Sequence, residues 1–244
     1  MMLRAIALAA LTLATPLAAQ EAMSEAERAA FRAEVRAYLL ENPEVLMEAI
    51  GVLEARQQAE QAQAEGAMLA ASADQLLNDG FSFVGGNPEG DITVVEFLDY
   101  RCGYCKKAHP EVAELVSRDG NIRYIVKEFP ILGEESVLAS RFAVATKLVA
   151  GDDAYYDVHN TLMAYRGDFS PTAFGRMAEG LGLEAAPILA AMEGDEVAAI
   201  LNANRVLGQQ LQINGTPTFV VQDEMLRGYV PLDQMRQIVA ELRG

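Results

Sequence analysis

The sequence predicts an α/β domain that is interrupted by a helical insertion and preceded by an N-terminal helical arm. Three observations carry this reading. Residues 92–129 read strand, helix, strand; residues 134–212 hold periodic helical segments and no convincing strand; residues 24–53 form an apolar stripe with no core of its own. The 244 residues, 51% hydrophobic and 22% charged, suffice for one large domain with an appendage. Asp and Glu number 35 against 19 Lys and Arg, and the resulting net charge of -16 repels phosphate backbones, so nucleic acid is not an expected partner. Two cysteines cannot build a disulfide framework, which makes their spacing matter more than their number.

Within residues 1–20, Arg4 precedes an apolar run broken only by Thr12, and Ala18-Ala19-Gln20 follows. That order is a secretory signal peptide cut near Ala19 or Gln20, since the run is shorter than the roughly 20 residues that span a bilayer. No later stretch is long and apolar enough to span, so the mature chain is expected not to cross a membrane.

The arm and its linker occupy residues 21–69. Ser24 and Glu27 have capping-box spacing, and Phe31, Val35, Tyr38 and Leu39 recur on one helical face. Asn42 is expected to cap a second helix with Pro43 at its first position, and Val45, Leu46, Ala49, Ile50 and Leu53 continue the stripe. Residues 54–65, EARQQAEQAQAE, favour helix but offer nothing to bury, and so read as a solvated helical linker. Two such short helices lack an independent core and must dock on the main domain or on copies of themselves.

The main domain, residues 70–244, opens its βαβ unit with a strand at 92–97, a helix at 103–116 and a strand at 122–129. The insertion, about 134–212, contains helical segments at 137–149 and 155–165, one opened by Ser170-Pro171, and one at 184–211 with breaks. Strands return at 218–221 and 226–229 around the turn Gln222-Asp223-Glu224, and Pro231 starts a last helix. No internal repeat is present.

Cys102-Gly103-Tyr104-Cys105 directly follows the first strand and opens the next helix. There the first sulfur meets free backbone N–H groups and the positive helix end, which favour thiolate over thiol. Cys102 is therefore expected to be the exposed nucleophile, and Cys105, one turn further in, the shielded thiol that resolves a mixed disulfide. A purely structural disulfide is the weaker alternative, because its loop is too short to restrain much unfolded chain. A metal site would need further soft ligands, and only His109, four residues after Cys105, and His159 are present. His159 reads as a surface or packing residue, and no metal or cofactor is assigned.

With the segment EFLDYRCGYCKK at 96–107, the helical insertion and Gly215-Thr216-Pro217-Thr218-Phe219, the chain from about residue 81 onward resembles the DsbA family of periplasmic thiol-disulfide oxidoreductases. Residues 36–46, RAYLLENPEVL, resemble the arm of the suppressor-of-copper-sensitivity protein C (ScsC) group, whose members can use it to oligomerise. The resemblance implies a thioredoxin fold interrupted by a helical domain. It assigns Cys102 and Cys105 to the redox pair and Gly103-Tyr104 to the dipeptide that tunes it. It places a cis proline, Thr216-Pro217, facing the site. It also makes Glu96 a buried acid beneath the disulfide, with a raised pKa and a proton path to Cys105. Lys127 is a candidate partner for Glu96 that strand register alone does not support. The Gly-Tyr dipeptide departs from the Pro-His found in strong oxidants of the family.

The expected function is disulfide exchange on exported proteins in the periplasm, as isomerase or oxidase. The expected partners are a membrane-bound redox protein and further copies of the chain, as a dimer or trimer through the arm. The alternative is a copper-tolerance module in which the same two thiolates hold Cu(I).

Overall fold

The computed structural model describes residues 23–244, and the expected signal peptide at 1–20 lies outside the described residues. The chain divides into two compact units, the first ending at Gln58 and the second spanning Ala59–Gly244.

The first unit holds α1 (Glu25–Glu41) and the opening of α2 (Glu44–Ala71). Ser24 caps α1 through a complete capping box with Glu27. Asn42 does not cap α2. Its side-chain Nδ2 donates back to the Tyr38 carbonyl at 2.9 Å, so it satisfies an orphan acceptor at the end of α1, and α2 begins two residues later. No side chain of α1 is buried, and Phe31, Val35, Leu39 and Leu46 line an open apolar groove of about 430 Å³.

The second unit is built on a five-stranded sheet. Its elements are α3 (Ala73–Leu77), β1 (Phe83–Gly86), β2 (Ile92–Leu98), α4 (Gly103–Asp119), β3 (Ile122–Glu128), α5 (Glu134–Ala164), α6 (Pro171–Gly180), α7 (Ala185–Ala191), α8 (Asp195–Gln210), β4 (Thr218–Val221), β5 (Glu224–Arg227) and α9 (Leu232–Arg243). Strand order is β1-β3-β2-β4-β5, with β2 and β3 parallel and every other pair antiparallel. No strand falls within 134–212, and Gly151, at φ 90°, kinks α5 between the two segments that its periodicity separates.

Alternation along β2 and β3 divides the core. Ile92, Val94, Leu98, Ile122, Tyr124 and Val126 face one apolar cluster, shared with α4, α5 and α9. Val95, Phe97, Ile125 and Phe129 face a second, with Leu69, Leu76, Leu207 and Leu211. Helices thus cover both faces, which is why these strands read as nearly continuous apolar runs.

Two strands depart from the sequence expectation. β1 is not legible as Phe83-Val84-Gly85-Gly86, yet Gly86 sits at φ 68° where a Cβ would lie 2.3 Å from the Ile122 carbonyl oxygen, so the pairing with β3 requires glycine. β5 starts two residues early, at Glu224, because Gln222 and Asp223 alone make the turn. The Gln222 side chain ties that turn to β2, accepting from Thr93 N–H at 3.0 Å.

Lys127 does not meet Glu96. In register it lies opposite Phe97, while Glu96 lies opposite Val126, so the two side chains leave opposite faces of the sheet. The Lys127 ammonium instead reaches Asp79 at 2.5 Å and the Gln75 carbonyl at 2.7 Å, with its side chain fully buried. Removing one partner of such a pair strands the other. Asp79→Asn should therefore lower unfolding stability by about 3 kcal/mol, read as a fall in the urea midpoint, and an added Lys127→Met should recover much of it. A wild-type midpoint for Asp79→Asn would show that the pair contributes nothing.

Candidate active site

The turn after β2 places the first cysteine. Asp99, fully buried, accepts from Arg101 N–H at 2.7 Å and from the N–H groups of Ile131 and Leu132 at 2.8 and 3.0 Å, clamping this turn to the loop after β3. The carbonyl of Asp99 then accepts from Cys102 N–H at 3.0 Å. Cys102 becomes the N-cap of α4, with its sulfur where a capping oxygen usually sits, accepting from Cys105 N–H at 3.3 Å.

Both cysteines are free thiols. Cys102 is more recessed than expected, with 6% of its surface exposed against none for Cys105. The cover comes from across the sheet, where the Cys102 sulfur lies 3.1 Å from the Thr216 carbonyl oxygen. The Thr216–Pro217 peptide is cis, as the resemblance implies. Hydrogen bonding from the Cys105 thiol, then with Thr216 and from the N–H groups of Cys105 and Tyr104, brings the Cys102 pKa down to about 6 against the opposing effect of burial. Burial drives Cys105 the other way, far above the ordinary thiol range, and the nearby Cys102 and Glu96 add to it.

Glu96 is 1% exposed and points into the same side of the sheet as the dithiol cluster. Tyr124 Oη donates to its Oε2, whereas Oε1 has no partner. Burial raises this carboxyl to about 7, with Tyr124 opposing and the Cys102 and Glu128 charges assisting. Gly103 and Tyr104 form the first turn of α4 and face outward: a Cβ on Gly103 would meet nothing within 4 Å, and Tyr104, 63% exposed, stacks on Tyr229. Cys102, Cys105, Glu96, Thr216 and Pro217 thus converge, while the dipeptide forms the rim.

His109 turns away from any site with the sulfurs, since its ring packs on His159 at 4.9 Å and both line a cleft of about 540 Å³ that also contains Tyr124. Among the described residues no group of three or more His, Cys, Asp or Glu is placed to hold a metal ion. His159 is buried, with Nδ1 3.0 Å from the Tyr100 hydroxyl, and burial followed by the neighbouring His109 pushes its pKa down to about 3.

A second buried carboxyl escaped the sequence reading. Glu128 accepts from Tyr100, Tyr155 and Ser140 hydroxyls at 2.6, 2.7 and 2.7 Å, and burial raises it to about 7 despite them. The signal was available: in a strand covered on both faces, the adjacent charges Lys127 and Glu128 each need a buried partner.

Comparison with known proteins places residues 93–240 in the DSBA-like thioredoxin domain and residues 27–60 in the copper resistance protein ScsC N-terminal domain. A thioredoxin-like oxidoreductase from Silicibacter pomeroyi is 42% identical with a TM-score of 0.65, over 70% of this chain and 96% of that one. Proteus mirabilis ScsC in a transitional conformation is 31% identical with a TM-score of 0.65, over 90% and 96%. The Na(+)/H(+) antiporter NhaA 1 of Salinispora arenicola is 31% identical over 157 residues, 64% of this chain. The chain spans only about a quarter of such curated relatives, 24% of this one. The architecture is therefore the thioredoxin-like DsbA fold with its helical insertion and an N-terminal helical region.

The opposed thiol shifts predict strongly unequal reactivity. Iodoacetamide alkylation of the reduced chain should modify Cys102 with a midpoint near pH 6 and leave Cys105 unmodified up to at least pH 9, as resolved by peptide mass mapping. Equal labelling of both sulfurs at pH 7 would overturn the division between them.

Proposed function

The chain belongs to the DSBA-like thioredoxin domain family, and from that premise we propose that it is an exported, periplasmic thiol-disulfide oxidoreductase acting on protein clients through Cys102 and Cys105. The observation that carries the proposal is geometric: at the start of α4 the Cys102 sulfur caps the helix and accepts from Cys105 N–H, which with its neighbours brings its pKa down to about 6, and the Cys105 thiol is fully buried behind it. Near pH 7 about nine in ten Cys102 groups are then thiolate, the attacking form.

The reaction runs in two exchanges. The Cys102 thiolate attacks a client disulfide, forming a mixed disulfide and releasing one client sulfur as thiolate. Cys105 then gives its proton to the ionised Glu96 and attacks the Cys102 sulfur. The second client sulfur leaves, so the client disulfide is reduced and Cys102–Cys105 is oxidised; the reverse order oxidises a client dithiol. In isomerisation a client thiol resolves the mixed disulfide instead, and Cys102 is returned with no net electron transfer. Oε1 of Glu96, buried and unpartnered, is the acceptor in this scheme, and Tyr124 positions the carboxyl.

Glu96→Gln removes that acceptor without changing the shape. It should slow the Cys105 step by about 10²-fold, seen as an accumulated mixed disulfide in rapid acid quench, and abolish the inflection near pH 7 in its rate. Tyr124→Phe should keep the inflection but move it upward, because the hydroxyl that lowers the Glu96 pKa is gone. A pH profile unchanged in Glu96→Gln would remove Glu96 from the mechanism.

Isomerase action is favoured over simple oxidation by the first unit. Phe31, Leu46, Ile50 and Leu53 are exposed there, and the helix pair buries too little to stand alone. The proposal is a dimer or trimer assembled through residues 24–53, which raises the effective concentration of nucleophiles around a misfolded client. Electrons would come from a membrane-bound redox partner. Light scattering of the mature chain should give two or three times the monomer mass. Deleting the segment through Leu53 should give a folded monomer that retains dithiol oxidation but loses reactivation of a scrambled substrate. A monomeric intact chain would defeat the assembly, and stoichiometric Cu(I) binding by the reduced chain without any disulfide turnover would favour a copper-holding role instead.

A further inference from the structure

The acidic balance of the chain is reversed in the segment that carries Cys102. The protein carries 35 acidic against 19 basic side chains, yet residues 101–107, RCGYCKK, contain three cations and no acid. The fold brings a fourth to them. Lys106 Nζ donates to the carbonyl of Tyr165 at 2.5 Å, which sets it beside Arg166, and the Arg166 guanidinium is anchored by the Met163 carbonyl at 3.1 Å. Lys107 lies 4.0 Å over the Tyr229 ring, on which Tyr104 stacks. Arg101 is engaged by Glu135 at 3.1 Å, but among the described residues no carboxylate lies within ion-pair distance of Lys106, Lys107 or Arg166. The crowding is felt within the group: burial first, then Arg166 and Arg101, weaken proton binding at Lys106, with the Asp99 carboxylate opposing them.

We propose that Lys106, Lys107 and Arg166 form a cationic collar around Cys102 that selects disulfides and thiols flanked by carboxylates, so that clients with acidic residues next to the reacting cysteine are preferred. The inference rests on the thiol-disulfide reading above and names the substrate class of that same site. Distance explains how the collar prevails over the net negative charge of the protein. At physiological ionic strength the screening length is about 8 Å, so remote surface carboxylates are damped while a substrate carboxylate seated at the collar is not. The cations also lie outside the sulfur's own hydrogen-bond set, which comes from Cys105, Thr216 and backbone N–H groups. Lys107 and Arg166 therefore act on the incoming chain, and the exposed Tyr104 ring offers that chain an apolar contact beside them.

The test uses the full reduced chain and three disulfides of similar size: dithiodipropionate (dianionic), hydroxyethyl disulfide (neutral) and cystamine (dicationic). In each reaction one disulfide becomes two thiols as Cys102–Cys105 closes. Second-order rate constants at 0.15 M salt are divided by those of mercaptoethanol with the same disulfide, which removes leaving-group differences. The normalised rate for dithiodipropionate should exceed that for hydroxyethyl disulfide by about fivefold, the upper end for an exposed charge pair, and cystamine should fall below it. The order should compress to within about twofold at 1 M salt, where screening acts over about 3 Å, and equally in a Lys107→Gln, Arg166→Gln double variant. Arg205→Gln, a control at another exposed cation, should leave it intact. Failure of hydroxyethyl disulfide to oxidise the chain would sink the oxidoreductase reading itself. Normal oxidation with a flat charge series, or a series unmoved in the double variant, would overturn the collar alone.

Discussion

A strand covered by packed side chains on both faces has no neutral place for a charged group, and β2 and β3 together bury three of them. Water is not available to any of the three, so each must find a partner or change its protonation. The outcomes differ. Lys127 keeps its charge by reaching Asp79 and a backbone carbonyl on the α3 side. Glu128 gathers three hydroxyls on the α5 side. Glu96 gathers one, from Tyr124, and leaves an oxygen bare. Glu96 and Glu128 leave the same face of the sheet as the cysteines and Lys127 the other; Glu96 is the least satisfied of the three, and Lys127 and Glu128 tie the sheet to the surrounding helices.

The same economy governs the cysteines. Two identical side chains three residues apart differ because one caps a helix and the other lies inside it. At the cap, Cys102 receives an N–H that no intrahelical carbonyl claims. One turn on, Cys105 is fully buried and has its own N–H committed to Cys102, so its sulfur gains little to offset desolvation. Burial is the largest cause of the Cys105 shift, whereas at Cys102 the hydrogen bonds of the cap outweigh it. The open rim beside the sulfurs is formed by Gly103 and the exposed Tyr104 ring, while the Thr216 carbonyl covers Cys102 from across the sheet.

The sequence made legible what depends on local pattern: the capping box at Ser24, the βαβ unit, the helical insertion, and the placement of Cys-x-x-Cys at a strand–helix junction. Thr216-Pro217 and Glu96 were reached through resemblance, since nothing local to them points at the sulfurs. The features that stayed hidden depend on register or on a distant strand. β1 ends in two glycines, of which Gly86 is required because the Ile122 carbonyl of β3 passes too close for a side chain, and from the sequence alone the pair looks like a loop. The partner of Lys127 required knowing that Phe97, not Glu96, lies across from it. Asn42 was misread because an amide can serve the helix before it as well as the one after. The Glu128 network draws its donors from Tyr100, Ser140 and Tyr155, on two other elements, and only the fold brings them together.

Redox direction follows from how the thiolate is held. Every interaction that favours the Cys102 thiolate favours the dithiol over the disulfide, and so makes the oxidised pair a stronger oxidant. Here that stabilisation comes from hydrogen bonds at the cap, with no cation between the cysteines, since Tyr104 turns outward onto Tyr229. Glu96 couples the pair to protons, because the Cys102 charge helps raise the Glu96 pKa, and by reciprocity an ionised Glu96 disfavours the thiolate. Closing the disulfide removes the thiolate and lets Glu96 release its proton more easily; reduction draws the proton back. In the proposed exchange, electron transfer at the sulfurs near pH 7 is thus accompanied by partial proton transfer at the strand beneath them, and the thiolate is opposed less when Glu96 is protonated. The hydrogen bonds at the cap thus hold the Cys102 thiolate without a charged residue in the dipeptide, and an ionised Glu96 opposes them.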